Sequence, residues 1–260
     1  MDNDFAYVRG NFTKIPLLVG EWSASPFSTE KGARWKYFDF FIRTAAKYNV
    51  STILWDNGLD YLDRAAHKWR DQVIPQIYMN AYRGLSNSLP DTTTNDTSDE
   101  QYSSAYIYHR TGENLTDQRL PFLLNGNILE NVLWKNNSLL VETDFTFKSQ
   151  PDSIVFKKSL LSTIFGASSG TGVKAELTVD FNEGANIQIQ AVEWDKPVLA
   201  RNATKVVAGK EIFIPITWKG LDSVAAVKAI KSDGSILVDD WTQWLPPLQQ
   251  GRLVSVPQCS

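Results

Sequence analysis

The 260-residue sequence predicts a multidomain chain in which an α/β segment precedes two all-β modules. Within the first 84 residues, two apolar runs flank a stretch whose apolar residues recur with helical spacing. A polar segment follows, and beyond residue 102 apolar and polar residues alternate with the period of a strand. The length and a hydrophobic content of 43% suggest about two domains with cores of their own.

For the α/β segment, the sequence predicts a strand, a helix, a second strand and a closing helix. The apolar runs IPLLVGEW at 15–22 and STILWDNG at 51–58 predict buried strands. Two strands joined by one helix form a parallel, right-handed βαβ unit. Glu21 and Trp55, at the carboxyl ends of these strands, should therefore face one cleft. The inner face of the intervening helix, within residues 29–48, comprises Trp35, Phe38, Phe41, Ile42 and Ala45.

The sequence allows two interpretations of the role of Glu21. A carboxylate at the mouth of a buried strand is typical of an active site. A glutamate that follows a short apolar run fits a solvated loop residue equally well.

The motifs GEW at 20–22 and WDNG at 55–58 resemble the last two strands of the glycoside hydrolase family 5 barrel. The resemblance covers about the first 84 residues and implies a partial (β/α)8 TIM barrel, its last two βα units. It implies that Glu21 is the catalytic nucleophile and that Trp55 lines the subsite where the bond is cut. Trp22, Asp56 and Asn57 are further candidates for substrate binding.

The closing helix of this segment is predicted at 62–84. Its expected inner face comprises Trp69, Val73, Ile77 and either Met79 or Ala81.

The second catalytic carboxylate of such an enzyme is missing from the sequence. A retaining glycosidase uses two carboxyl groups about 5 Å apart. In the family the acid/base glutamate lies in an Asn-Glu-Pro motif, which does not occur here. His67 and His109 are expected to be structural or surface residues. We therefore expect residues 1–260 to be catalytically inactive alone.

The N-terminal sequence predicts a fragment of a longer protein. Only some fourteen residues precede the strand of Glu21, too few for six further βα units. MDNDFAYVRGNF also lacks the apolar core of a signal peptide. We expect the full-length product to be extracellular, with a signal peptide in the missing part, and residues 1–84 to be marginally stable in isolation.

Composition restricts the partners. A net charge of −3 without a basic block argues against nucleic acid, and no apolar run has the length of a membrane span. The single cysteine, Cys259, excludes an internal disulfide. We expect a monomer. Six N-x-S/T sequons favour a secreted glycoprotein; they begin at Asn11, Asn49, Asn95, Asn114, Asn136 and Asn202.

A linker is predicted at 85–102, because SNSLPDTTTNDTSDEQ is polar and lacks aromatic residues. Residues 103–192 then read as a β-sandwich with a short helix at 159–166. Their L-N-G-N turn, D-F-T strand and I-V-F-K-K-S-L-L segment resemble the immunoglobulin-like module that follows the barrel in multidomain cellulases. That resemblance implies a spacing role. Asp144 and Asn125 are expected to be turn residues.

Residues 193–260 resemble the family 46 carbohydrate-binding module of the same enzymes. The resemblance rests on IFIPITWKGLDSVAAVKAI and DGSILVDDWTQWLPPLQQGRLVSV. Trp241 and Trp244 are the leading sugar-binding candidates, followed by Trp218 and Trp194, since aromatic rings bind the apolar faces of sugars. An aromatic residue in a small β-domain is more often a core residue than a binding platform, so a core position is the alternative for each of these tryptophans. Arg252 fits a surface ion pair.

Taken together, the resemblances imply a retaining endo-β-1,4-glucanase that acts on β-glucan without a metal or organic cofactor. A non-catalytic β-glucan-binding protein is the alternative from another class. A third is a related β-mannanase or exo-β-1,3-glucanase, because these enzymes share the nucleophile strand.

Overall fold

The computed structural model describes residues 1–26, 29–91, 105–201, 213–220 and 231–235. Strands predominate in this part of the chain, with fifteen strands against four helices. None of the described helices is long and apolar enough to cross a membrane.

The N-terminal unit contains the predicted βαβ arrangement. Strands β1 and β2 are parallel, and helix α2 connects them. Glu30 is the N-cap of α2, and its carboxylate accepts hydrogen bonds from the backbone N–H groups of Gly32 and Ala33. The elements of this unit are α1 (Asp2–Asn11), β1 (Leu17–Trp22), α2 (Lys31–Lys47), β2 (Val50–Leu54), β3 (Leu62–Asp63), β4 (Lys68–Trp69) and α3 (Val73–Tyr82).

The helices of this unit cover one face of the β1–β2 sheet. All five residues predicted for the inner face of α2 are buried. The Trp22 ring stacks on Phe41, and the Tyr78 hydroxyl of α3 contacts Thr52 of β2 at 3.0 Å. The opposite face exposes Leu18 and Ile53, which are 59% and 52% accessible. The prediction of fully buried strands is therefore wrong for one face of the sheet.

The predicted closing helix begins about ten residues later than expected. Residues 62–69 form the β3–β4 hairpin, in which His67 adopts a φ of 51° and Asp63 accepts a hydrogen bond from the N–H of Ala66. These local hydrogen bonds compete successfully with a helix. The inner face of α3 comprises Val73, Ile74, Ile77 and Ala81, so Ala81 is the buried alternative, whereas Met79 is 46% exposed.

The predicted β-sandwich consists of a four-stranded and a five-stranded sheet. Their strand orders are β10-β11-β7-β5 and β6-β13-β12-β8-β9, and only the β6–β13 pair is parallel among them. Phe122 and Phe181 meet between the sheets, with ring centroids 5.9 Å apart. The elements are β5 (Leu89–Pro90), β6 (Tyr106–Arg110), β7 (Gln118–Leu123), β8 (Leu129–Trp134), β9 (Asn137–Ser138), β10 (Phe145–Lys148), β11 (Ser153–Phe156), α4 (Lys158–Gly166), β12 (Gly172–Phe181) and β13 (Ile187–Trp194).

The start of the predicted linker is part of the core. Residues 87–90 are buried, and β5 pairs with β7. Their polar side chains were expected to face solvent, but Asn87 and Ser88 are fully buried and hydrogen-bonded. Residues 92–102 of the linker lie outside the described part of the chain.

The predicted C-terminal module is described only in short segments. Strands β14 (Val198–Leu199) and β15 (Ile216–Thr217) form an antiparallel pair. Asp195 makes ion pairs with Arg110 and Lys219, at 3.4 and 3.2 Å, which attach this segment to the end of β6. Trp241, Trp244, Arg252 and Cys259 lie outside the described residues.

Candidate functional site

The carboxyl ends of β1 and β2 meet beside Glu21 and Trp55. The backbone N–H of Trp55 donates a hydrogen bond to the carbonyl oxygen of Trp22 at 3.0 Å. Trp22 in turn lies opposite Leu54 in the parallel register. The two candidate residues therefore leave their strands at the same edge of the sheet.

A bulge in β1 determines where Glu21 lies. Val19 is opposite Thr52 and Trp22 is opposite Leu54, so Gly20 and Glu21 share a single position opposite Ile53. Strict alternation from Leu17 and Val19 would direct Glu21 towards α2 and expose Trp22. The additional residue reverses this, because Glu21 is exposed and Trp22 is only 6% accessible.

Trp22 and Trp55 occupy opposite environments. Trp22 packs against Phe38 and Phe41, with ring centroids 4.9 and 4.1 Å away. Trp55 is 40% exposed at the sheet edge. The geometry thus makes Trp55 accessible to a ligand and places Trp22 in the core below it.

The side chains of Asp56 and Asn57 build the turn that follows β2. Asp56 accepts hydrogen bonds from the backbone N–H groups of Gly58, Tyr61 and Leu62, and Asn57 accepts them from Leu59 and Asp60. Burial would raise the pKa of the Asp56 carboxyl, but these N–H donors, helped by Arg64, hold it below its usual value. Asp56 is therefore an ionised turn residue at neutral pH.

The other candidate residues lie outside this edge of the sheet, and several of them lie in turns. His67 lies in the β3–β4 turn, and His109 lies on β6 with its ring 5.0 Å from that of Phe165. Asp144 accepts the N–H of Leu140, and Asn125 adopts a φ of 52°, so both are turn residues as predicted. Trp218 is 37% exposed.

The sandwich carries an aromatic pair that sequence analysis did not select. The rings of Tyr106 and Tyr108 on β6 stack with centroids 5.3 Å apart and an interplanar angle of 18°. The available signal was the alternation Tyr-Ile-Tyr, which places two aromatic rings on one face of a strand.

The N-terminal unit and the sandwich meet in a polar joint centred on Asn87. Its side-chain amide donates to Asp39 of α2 and accepts from the N–H of Ala185, at 2.7 and 3.0 Å. A second contact between the two units is made by Lys31, whose ammonium lies 5.2 Å from the Trp35 ring and 5.7 Å from the Tyr106 ring. Burial lowers the pKa of Lys31, and the carboxylates of Asp71 and Glu176 oppose that shift.

Residues 101–191 match the family model described as "Carbohydrate binding domain X2". Endoglucanase B of Paenibacillus lautus is 27% identical to this chain over 225 residues, which cover 85% of this chain and 36% of that protein. The chain thus spans little more than a third of this curated relative.

Two solved structures extend the comparison. A tri-modular GH5 (subfamily 4) endo-β-1,4-glucanase from Bacillus licheniformis, complexed with cellotetraose, is 28% identical with a TM-score of 0.76, over 89% of this chain and 43% of that one. The full-length tri-modular endo-β-1,4-glucanase B from Bacillus halodurans shares the fold, at 23% identity and a TM-score of 0.73, over 92% of this chain and 43% of that one. The chain is therefore similar to a part of a tri-modular endoglucanase that makes up 43% of that protein, and residues 101–191 match the model of a carbohydrate-binding domain.

Proposed function

We propose that this chain binds β-1,4-glucan and forms the C-terminal part of a retaining family 5 endo-β-1,4-glucanase. The observation that carries the proposal is the similarity to the cellotetraose-bound endo-β-1,4-glucanase, which extends over 89% of the chain at 28% identity. The match of residues 101–191 to a carbohydrate-binding domain supports a carbohydrate ligand.

Glu21 is the proposed nucleophile of this enzyme. The bulge places its carboxylate at the sheet edge, outside the core that Trp22 fills. There it can attack an anomeric carbon and form a glycosyl-enzyme intermediate. Trp55, exposed on the neighbouring strand, would hold the sugar by stacking against its apolar face.

The proton donor is proposed to come from outside residues 1–260. Protonating the leaving oxygen requires a carboxylic acid about 5 Å from the nucleophile with a raised pKa. Asp56 is unsuited to this role, because its backbone donors hold the pKa of its carboxyl low. The polypeptide of 260 residues is thus proposed to bind glucan without hydrolysing it.

Residues 1–84 are proposed to be the last two βα units of a (β/α)8 barrel. Parallel sheets are normally covered on both faces. Here α2 and α3 cover one face, while Leu18 and Ile53 are exposed on the other, as expected for the face that lines a barrel interior. Residues 103–192 would then be the immunoglobulin-like module. Residues 193–260 would be a family 46-like module in which Trp241 and Trp244 bind sugar.

A non-catalytic β-glucan-binding protein is the second candidate function. The absence of an Asn-Glu-Pro motif from the sequence favours it. Related β-mannanase and exo-β-1,3-glucanase specificities remain the alternatives within the enzyme class.

Affinity electrophoresis of residues 1–260 in gels that contain barley β-glucan, xyloglucan, β-mannan or β-1,3-glucan tests the ligand. We expect retardation by barley β-glucan and no release of reducing sugar. Retardation by mannan or β-1,3-glucan alone would contradict the proposed specificity. Hydrolysis by the purified chain would contradict the external proton donor.

The enzyme and the binding protein predict different coding sequences upstream of residue 1. The enzyme requires an in-frame upstream strand that ends in Asn-Glu-Pro. In the longest product that includes it, Glu21→Gln should abolish hydrolysis and preserve glucan binding. A hydrolytically active Glu21→Gln product would refute the assignment of the nucleophile.

A further inference from the structure

The outer face of the five-stranded sheet carries aromatic and apolar side chains. On the edge strand β6, the inward-facing Ile107 is fully buried, and Tyr106 and Tyr108 project from the other face. Tyr108 is 42% exposed, and its ring stacks on that of Tyr106. One aromatic surface is therefore accessible at the edge of the sheet.

The strand register extends this surface into two parallel rows. Tyr108 lies opposite Val192, which lies opposite Val173. Val173 is 59% exposed, whereas Val192 between the two is only 5% accessible, so the exposed apolar surface of this row comes from Tyr108 and Val173. In the neighbouring row, Tyr106 lies opposite Gln190 and Gln190 opposite Glu176. We refer to these six residues as the tyrosine strip: Tyr106, Tyr108, Val173, Glu176, Gln190 and Val192.

The two rows differ in chemistry. The row of Tyr108, Val192 and Val173 is apolar. The row beside it carries planar polar groups, since the Gln190 amide donates to the Glu176 carboxylate at 3.3 Å. Neighbouring strands lie about 4.8 Å apart, so each row spans about 10 Å across three strands. A pyranose chain offers the complementary pattern, with apolar ring faces and equatorial hydroxyls at the ring edges.

The position of the strip connects it with the candidate catalytic edge. Eight residues separate Trp22, at the carboxyl end of β1, from Lys31, the first residue of α2. The α2 N-terminus therefore lies on the side of the sheet where Glu21 and Trp55 leave their strands. The Lys31 ammonium reaches from there to the Tyr106 ring, at 5.7 Å from its centroid.

We propose that the tyrosine strip is a β-glucan-binding site of the sandwich, with Tyr108 as its stacking platform and Gln190 and Glu176 as its hydroxyl-binding groups. The ligand class rests on the proposed function. The arrangement of the strip across three neighbouring strands favours an extended chain over a compact molecule. The match of this segment to a carbohydrate-binding domain names the ligand class without indicating its binding residues.

Isothermal titration of residues 1–260 with cellohexaose and with barley β-glucan tests the strip. Tyr108→Ala should bind about five- to tenfold more weakly, the loss of one aromatic contact. Tyr108→Phe should retain most of the affinity because it keeps the ring. Tyr82→Ala removes a tyrosine that is 78% exposed on α3, outside the strip, and should bind as the wild type does.

Gln190→Ala provides a second variant that spares the aromatic pair, and it should weaken binding as well. Melting curves identify any variant that fails to fold. Suppose that Tyr108→Ala and Gln190→Ala fold and bind with wild-type affinity, whereas Trp55→Ala loses affinity. That result would overturn the proposal that the tyrosine strip binds glucan, and the proposed function would stand. Absence of binding by the wild-type chain would overturn both.

Discussion

The side-chain amide of Asn87 donates a hydrogen bond to a carboxylate oxygen of Asp39 at 2.7 Å. Asn87 is fully buried, although it lies in the segment that leaves the N-terminal unit. The side-chain oxygen Oδ1 of Asn87 also accepts the N–H of Ala185 from the sandwich. A single side chain therefore satisfies polar groups of both units, and the apolar cores on either side of it are continuous. We infer that the two units unfold together.

Asn87→Ala should lower the free energy of unfolding by about 1–3 kcal/mol, because it removes the hydrogen bonds that Asn87 makes to Oδ1 of Asp39 and to the N–H of Ala185. Urea unfolding monitored by tryptophan fluorescence measures this. Asn137→Ala on the exposed β9 should change stability by less than about 0.5 kcal/mol. Equal stability of the two variants would contradict the role of the joint.

Gly184→Ala should destabilise the joint from the sandwich side. Gly184 has a φ of 93°, and a Cβ atom there would lie 2.5 Å from the carbonyl oxygen of Ser86. Gly126 also has a φ of 93°, but nothing lies within 4 Å of its Cβ position. Gly126→Ala should therefore cost only the backbone strain, about 1–2 kcal/mol, and Gly184→Ala distinctly more. Equal urea midpoints would show that the close approach to Ser86 does not matter.

Trp22→Ala and Trp55→Ala should separate stability from binding. Removing the buried Trp22 ring should cost about 3–5 kcal/mol, since it packs against Phe38 and Phe41. Trp55→Ala should leave the melting temperature nearly unchanged and reduce retardation by β-glucan. Melting curves and affinity gels on the same samples provide both measurements. A large loss of stability in Trp55→Ala would assign that ring to the core.

The sequence predicted the elements whose packing depends on a regular period. All five inner-face residues of α2 are buried, because a 3.6-residue period alone determines which side chains face the sheet. The strands of the sandwich follow in the same way from alternation. Turn residues such as Asp144 were predictable because their hydrogen bonds are local, to the N–H of Leu140 in this case.

Features that depend on distant partners were not predictable. The bulge at Gly20 and Glu21 is defined only by the register with β2. Asn87 has a polar side chain in a polar segment, and its burial depends on Asp39 and Ala185, which lie far away in sequence. The β3–β4 hairpin is a local exception: it forms where a helix was predicted, with Asp63 accepting the N–H of Ala66 in its turn. For the candidate site, the shared edge of Glu21 and Trp55 followed from topology, whereas the burial of Trp22 required the bulge.

Asp56→Asn should destabilise the protein at neutral pH. Backbone donors that outweigh burial hold the pKa of this carboxyl below the usual 3.8 in the folded state. Its stabilising contribution is therefore complete above the unfolded-state pKa and disappears as the pH falls through the folded-state pKa. The difference in melting temperature between the wild type and Asp56→Asn should be largest near pH 7 and shrink below about pH 4. A difference independent of pH would show that charge is not involved.

Asp180→Asn should have the opposite effect. Burial and the neighbouring Glu130 carboxylate raise the pKa of Asp180, and its Oδ1 atom is buried without a hydrogen-bond partner in the described part of the chain. A raised folded-state pKa means that ionisation of Asp180 reduces stability at neutral pH and has no such effect once both states are protonated. Asp180→Asn should therefore melt higher than the wild type at pH 7, and the gain should vanish as the pH approaches about 4. The Asp56 and Asp180 variants each remove one negative charge, so opposite signs at pH 7 would separate the local environment from an effect of net charge. Equal signs would contradict the assignment whose predicted sign is not observed.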